Sequence, residues 1–292
     1  MNQIKGQRVL GITFLLTLAF CIFEFIGGKI SGSLALLADA GHMLTDMSAI
    51  GLAFFAALAA SRRATAKMSY GFYRIEVLSA LINGATLFTL AVFIVREAFE
   101  RFNSPPVINT QVMILVGVMG LVFDLTSGFF LSRAAEGKNI NVRGALFHVI
   151  SDALGSFGTI VAGTVIALTG WLAIDPVVSC FIALLIIASA WRLLKDVAEV
   201  LLEATPAHIN THLLEQKILS LAGIQAIHDL HVWSISPGRE ALSAHLEVEK
   251  ETDRDKVLHE VHEMLSREFH IDHSTLQIET SEHRKQEKSH FH

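Results

Sequence analysis

Long apolar runs recur through the first 202 residues, and beyond Pro206 they give way to short segments whose apolar positions alternate or recur at helical spacing. A run of about 20 apolar residues crosses a hydrocarbon layer of about 30 Å as one helix. Six such spans are predicted, over about 8–28, 34–58, 77–100, 111–133, 144–169 and 174–195. The first follows Lys5 and Arg8, as a secretory leader would, but it lacks a cleavage site and further spans come after it. It therefore reads as a retained span.

After residue 206 the periods change. "HINTHLLEQKILSLAG" has helical spacing, with Ile209, Leu213, Leu214, Ile218 and Leu221 apolar and Gly223 as a stop. "IHDLHVWSIS" and "ALSAHLEVE" alternate as strands, and "PGRE" between them makes a hairpin. "DRDKVLHEVHEMLSREF" is a second amphipathic helix with Asp253 as its cap, and "STLQIET" is a third strand. The order αββαβ predicts a small α+β sandwich, one sheet covered by two helices. The expected division is 1–202 as a six-helix membrane domain, 203–281 as the small domain and 282–292, "EHRKQEKSHFH", as a disordered tail.

Charge sharpens that division. Charged residues make up 17% of the chain, against about 25% in soluble domains. Residues 1–202 carry 14 Lys and Arg against 12 Asp and Glu; residues 203–292 carry 9 against 16. Lys and Arg also alternate between connections. Lys5, Arg8, Arg62, Arg63, Lys67, Arg74, Arg133, Lys138, Arg143, Arg192 and Lys195 fall on one side, and Lys29, Arg96 and Arg101 on the other. The positive-inside bias places both termini and the small domain in the cytoplasm. No nucleic-acid partner is expected. Cys21 and Cys180 lie inside apolar runs and read as core thiols.

Two short stretches do not fit a plain membrane span. "LADAGHMLTDMSAI" and "RGALFHVISDALGSF" each hold a histidine with an aspartate four residues later, His42/Asp46 and His148/Asp152. Residues four apart share a helix face. Of 14 histidines, 12 follow Glu203; the two in the membrane half are His42 and His148. An ionisable group at membrane depth costs on the order of 2.5–3.5 kcal/mol on insertion scales and is kept for function. If the two helices face each other, two nitrogens and two carboxylates converge. That set suits Zn²⁺ in a tetrahedron and is too rich in nitrogen for Ca²⁺ or Mg²⁺. Ligand type leaves Fe²⁺, Co²⁺, Ni²⁺ and Mn²⁺ open, and the sequence does not fix the physiological metal among Zn²⁺, Cd²⁺, Co²⁺ and Fe²⁺. Metal needs neutral imidazole and ionised carboxylate, so protons compete with it, which couples metal movement to proton movement. Gly41, Gly51, Gly155 and Gly158 near the pairs give surfaces on which helices can slide.

These residues resemble the cation diffusion facilitator family, the bacterial zinc/proton antiporters of HxxxD type. "MSYGFYRIEVLSALING" after the second span and "HDLHVWS…SAHLEVE…TLQIE" in the small domain extend the likeness over about 8–280. The resemblance implies six spans, a cytoplasmic domain of ferredoxin- or metallochaperone-like fold, a homodimer and location in the bacterial inner membrane. It implies that His42, Asp46, His148 and Asp152 form the transport site, and that His at position 42 favours zinc where Asp admits cadmium. In the small domain it points to His228, His245 and Glu279 as ligands of a regulatory Zn²⁺, with Asp255 as a candidate fourth. It pairs Arg74 with Glu203 as a hinge. His231, three residues after His228, has the wrong strand parity to join it. The loop between spans two and three lacks the Asp and His of relatives with a metal site there, so none is expected.

Glu24, Asp39, Asn83 and Asp124 are further polar residues in or beside spans; Glu24 is a candidate to relay protons or line the cavity, Asp39 is expected near the outer or inner mouth on a helix face, and the direct part of each in the ion path stays open, as does any metal capture by His283, His290 and His292. The expected function is efflux of a divalent cation, Zn²⁺ foremost, by proton antiport with alternating access. A membrane-anchored metal sensor is the alternative, although it would not need ionisable pairs inside the bilayer. An intramembrane metallohydrolase finds no HExxH, and four protein ligands leave no open position for water. The chain reads as a secondary transporter, not an enzyme.

Overall fold

The computed structural model describes the backbone of residues 2–134 and 140–281, and the side chains of residues 15–130, 132 and 149–281. The side chain of His148 and the whole of 282–292, with its three histidines, lie outside the described residues. Six long helices come first: α1 (Asn2–Ser31), α2 (Leu34–Ala60), α3 (Arg74–Asn103), α4 (Thr110–Ala134), α5 (Ile140–Thr169) and α6 (Ile174–Leu201). Then follow α7 (Thr211–Leu219), β1 (Ile224–Ser236), β2 (Arg239–Val248), α8 (Arg254–Phe269) and β3 (His273–Glu279). Among the described residues, segments of α2 to α6 are long and apolar enough to cross a membrane; α1 is the remaining span. The architecture is the expected one, six membrane helices followed by a small α+β domain.

The described residues form two compact units, one drawn from 2–55 and 79–194, the other from 56–78 and 195–281. In the first unit the outward side chains are apolar: Phe55, Phe93, Phe99, Phe130 and Trp191 are exposed. That is the surface a hydrocarbon solvent requires, since buried and lipid-facing positions are equally apolar there. Helices α2, α3 and α6 close on Ala35, Ala38, Ala91, Ala183 and Ala190, interleaved with Leu87, Ile182 and Ile186. Helices α2, α4 and α5 meet on Leu36, Met113, Val116, Ala162 and Ile166. Small residues let the backbones approach, and dispersion then holds them. At Gly163 an added Cβ would stand 2.7 Å from Ile114 Cγ1. Gly163→Val is therefore expected to cost about 1–3 kcal/mol through overpacking of the α4–α5 seam. Thermal denaturation in detergent measures it, with Gly51→Ala, which meets nothing within 4 Å, as the unperturbed control.

One polar clasp in this unit was not anticipated. Asp175, fully buried at the start of α6, accepts from Ser33 Oγ at 2.6 Å, Leu34 N–H at 2.7 Å and Ala35 N–H at 3.2 Å. It thus caps the N-terminus of α2, whose first N–H groups have no helical partner of their own. Arg101, from α3, stands 3.9 Å from the same carboxylate and donates to Gly32 O at 2.6 Å. Gly32 has φ +76°, and a Cβ there would lie 2.9 Å from Val107 O, so the tight α1–α2 corner requires glycine.

In the second unit, β1 pairs antiparallel with β2, and β2 parallel with β3, giving the order β1-β2-β3. Helices α7 and α8 bury Leu214, Ile218, Val257, Val261 and Leu265 against Val232, Leu242, Ala244 and Leu246 of the sheet. Asn210 Oδ1 caps α7 by accepting from Leu213 N–H, and Asp253 caps α8 by accepting from Asp255 and Lys256 N–H, as its position predicts. The stretch between α2 and α3 belongs to this unit: the Arg239 guanidinium lies 3.9 Å over the Tyr73 ring, a cation–π contact. The expected pair is also present, with Arg74 Nη2 2.8 Å from Glu203 Oε1. Both side chains are about half exposed, so the pair contributes only about 0–1 kcal/mol.

Candidate metal-binding sites

In the membrane unit, α2 carries His42 and Asp46 on one face, one turn apart, and α5 carries Asp152 opposite them. His42 Nε2 stands 3.6 Å from Asp46 Oδ2 and 3.7 Å from Asp152 Oδ1. Three of the four HxxxD residues therefore converge across two helices, with His42 buried and the carboxylates partly accessible. His148 sits on α5 one turn before Asp152. The edge of a tetrahedron with bonds of roughly 2 Å is about 3.3 Å, so these separations suit donors closing on one ion with small side-chain shifts. A cavity of about 260 Å³ adjoins the cluster, lined by Asp39, His42, Ser151, Asp152, Ser189 and Arg192 among others. It is large enough for a hydrated cation, and it extends along α6 from the cluster to Arg192.

Behind the cluster lies more buried acid. Glu24 of α1, Asp39 of α2 and Asp124 of α4 are each less than a tenth exposed. Ser156 Oγ donates to Asp124 Oδ2 at 2.9 Å. Asp39, expected near a mouth of the path, is instead buried, because its side chain turns into the helix bundle. All three side chains face the interior, as intramembrane carboxyl groups must.

In the second unit the sheet register makes a separate group. His228 and His245 are direct cross-strand partners on β1 and β2, and Glu279 ends β3. One donor atom from each lies within 4.8 Å of the others. His228 Nε2 is 3.1 Å from Glu279 Oε1, and the two imidazole rings meet edge to face at 5.1 Å. Glu279 is 2% exposed, and a carboxylate so far out of water needs a cationic partner or a metal. All three residues expected here are brought together. Asp255 is not: it lies exposed in the first turn of α8, outside this group.

His231 corrects the parity argument. Between His228 and His231 the register slips, because β1 advances three residues while its partner moves two, from His245 to Ser243. Asp229, inside the slip, has φ 51°. The extra residue is a β-bulge. It keeps both Ile227 and Val232 packed on the hydrophobic core, and it returns His231 to the face of His228 and His245. Strict alternation had put His231 on the other face. The signal available in the sequence was the run "IHDLHV", whose apolar residues fall at intervals of three and then two.

Family models and curated relatives match nearly the whole chain. Residues 10–202 match the family model described as the cation efflux transmembrane domain, and residues 206–281 that of the cation efflux protein cytoplasmic domain. The chain is 38% identical over 286 residues to the cadmium, cobalt and zinc/H⁺-K⁺ antiporter of Bacillus subtilis, covering 97% of this chain and 92% of that protein. It is 39% identical over 276 residues to the zinc transporter ZitB of Pectobacterium atrosepticum, covering 94% and 86%. It is 38% identical over 275 residues to the metal cation efflux system protein CzcD of Cupriavidus metallidurans, covering 94% and 87%. A solved metal-bound C-terminal domain of the CzcD transporter is 32% identical, covers 24% of this chain and 99% of that one, and has a TM-score of 0.24.

Proposed function

This chain belongs to the cation efflux family, transporters rather than enzymes, and we propose that it exports Zn²⁺ in exchange for protons through His42, Asp46, His148 and Asp152. The observation that carries the reading is the approach of one imidazole nitrogen to carboxylates on two different helices, at 3.6 and 3.7 Å. Donors on separate helices mean that helix movement opens or closes the site, which alternating access requires. Metal binding takes neutral imidazole and ionised carboxylates, so lower pH weakens it and higher pH strengthens it. Entering metal releases protons, and protons arriving from the other side release metal. The names of the relatives support zinc first, with cadmium and cobalt as further substrates.

The chain is a multi-pass membrane protein, and the bias of Lys and Arg to one set of connections supports an inner-membrane orientation with both termini and the small domain in the cytoplasm. On that orientation Arg192 marks the cytoplasmic end of the cavity beside His42, which is then the entry path for cytoplasmic metal. Residues His228, His245 and Glu279 hold a resident Zn²⁺: two nitrogens and one carboxylate are a fitting donor set, and the buried Glu279 supplies the charge. When bound, that ion ties the three strands together at one point. Two copies of the chain pair through this cytoplasmic domain in a homodimer, a reading that the match of residues 206–281 supports.

Purified protein in liposomes loaded with a zinc-sensitive dye, under an imposed pH gradient, tests the proposal. Zinc flux that follows the sign and size of the gradient is the expected result; flux indifferent to the gradient rejects proton exchange. Specificity has its own test. His42→Asp replaces a nitrogen by an oxygen and adds a negative charge, which alters both cavity size and donor softness. Flux assays with both ions are expected to show the Cd²⁺-to-Zn²⁺ ratio rising in this variant.

A further inference from the structure

The three donors of the small unit leave one corner of a zinc tetrahedron to fill, and the bulge in β1 brings a carboxylate beside it. Asp229 Oδ2 stands 3.8 Å from His245 Nε2, while Asp229 Oδ1 stands 3.1 Å from His231 Nε2. The same carboxylate is thus shared between a histidine of the site and a histidine outside it. We propose that Asp229 is the fourth ligand of the metal held by His228, His245 and Glu279, and that His231 is the positioning residue that aims it. The inference rests on the reading that these three residues bind a metal.

Several independent features point the same way. The separation of 3.8 Å resembles the 3.6 and 3.7 Å between donors of the membrane site. Asp229 lies outside the group of His228, His245 and Glu279 whose donors stand within 4.8 Å of one another, and its exposed side chain swings inward past His245 to reach the fourth corner of a tetrahedron. The backbone at Asp229 is left-handed, φ 51°. Aspartate tolerates that conformation better than most residues with a side chain, and it is what turns the carboxylate out of the strand's normal alternation toward His245. Ligating carboxylates are as a rule held by an outer hydrogen-bond partner, and His231 occupies that position. Bulges beside functional sites commonly re-aim a side chain in this manner. The site then has two imidazoles and two carboxylates from one chain, the same donor set as the proposed membrane site.

The experiment uses the full chain in detergent, with the membrane site silenced by Asp46→Ala and Asp152→Ala, and titrates Co²⁺ as a spectroscopic stand-in for Zn²⁺. The silenced background is expected to bind Co²⁺ with the intense visible bands of a tetrahedral ion. Asp229→Asn keeps the left-handed backbone and removes the charge. It is expected to weaken Co²⁺ binding about 10–100-fold and to reduce and shift those bands. His231→Leu is expected to weaken binding within the same range while leaving the bands in place, because the ligand set is unchanged, and His231→Gln to restore most of the affinity by returning a donor. Circular dichroism in the presence of chelator shows whether each variant is folded, with Asp229→Gly as a second charge-free variant for that backbone. Unchanged affinity and unchanged bands in the Asp229 variants overturn the fourth ligand and leave the three-residue site standing. Absence of saturable Co²⁺ binding in the silenced background overturns both readings.

Discussion

Zinc flux in Asp152→Ala is expected to fall to the rate of protein-free liposomes, with the protein still folded in the bilayer. The residue supplies the carboxylate that α5 presents to His42, 3.7 Å away. Without it the donors remaining in the described cluster come from α2 alone, where His42 and Asp46 are one turn apart. A site carried mainly by one helix loses its dependence on how two helices meet, which is the feature that would let movement release the ion. The lost charge matters as much as the lost ligand, since a dication in a low-dielectric cavity needs compensating carboxylates. Stopped-flow dye fluorescence at matched protein density measures the flux, and equilibrium Zn²⁺ binding measured alongside separates loss of affinity from loss of turnover. Near wild-type flux in Asp152→Ala would remove this residue from the transport path.

The largest stability effect is expected at Asp175, which does not touch either metal cluster. Its carboxylate is fully buried and joins α6 to the first turn of α2 through three hydrogen bonds, with Arg101 at 3.9 Å. Asp175→Ala leaves two backbone N–H groups, a hydroxyl and a guanidinium facing a cavity. Removing one side of a buried charged network costs about 3–5 kcal/mol, and the lost cap lies within that figure rather than adding to it. Asp175→Asn retains an acceptor and is expected to lose less than half as much. The comparison is made by thermal denaturation in detergent. An Asp175→Ala protein as stable as wild type would mean that water or a neighbouring donor replaces the carboxylate.

These two residues also mark how far the linear pattern reaches. Asp152 was legible because a histidine and an aspartate four apart, in two spans otherwise free of histidine, have few explanations inside a bilayer. Asp175 was not, because an acidic residue at the start of a helix is ordinary in any sequence; its partners lie about 140 positions earlier in the chain, and only folding brings them close. Glu24 and Asp124 show the intermediate case. Their presence in spans marked them, yet their grouping behind the cluster depends on α1 and α4 packing against neighbours whose apolar faces look alike in sequence.

In the small domain, period determined the order of elements, and residue type at the helix start marked the cap at Asp253, whereas His228 and His245 were singled out by resemblance and paired by strand register. The bulge at Asp229 escaped that logic. Alternation assumes one residue on each strand per step, and the single inserted residue reversed the facing of His231 while keeping Ile227 and Val232 in the core. Sequence by itself determined the six spans, the αββαβ order and the residue types able to bind metal, because these follow from local periodicity and from the cost of charge in lipid. Tertiary structure alone decided which distant groups meet: Asp152 with His42, Glu279 with His228, and Asp175 with the start of α2. Those contacts depend on helix approach and strand register, which are properties of packing between segments and are written in no single segment.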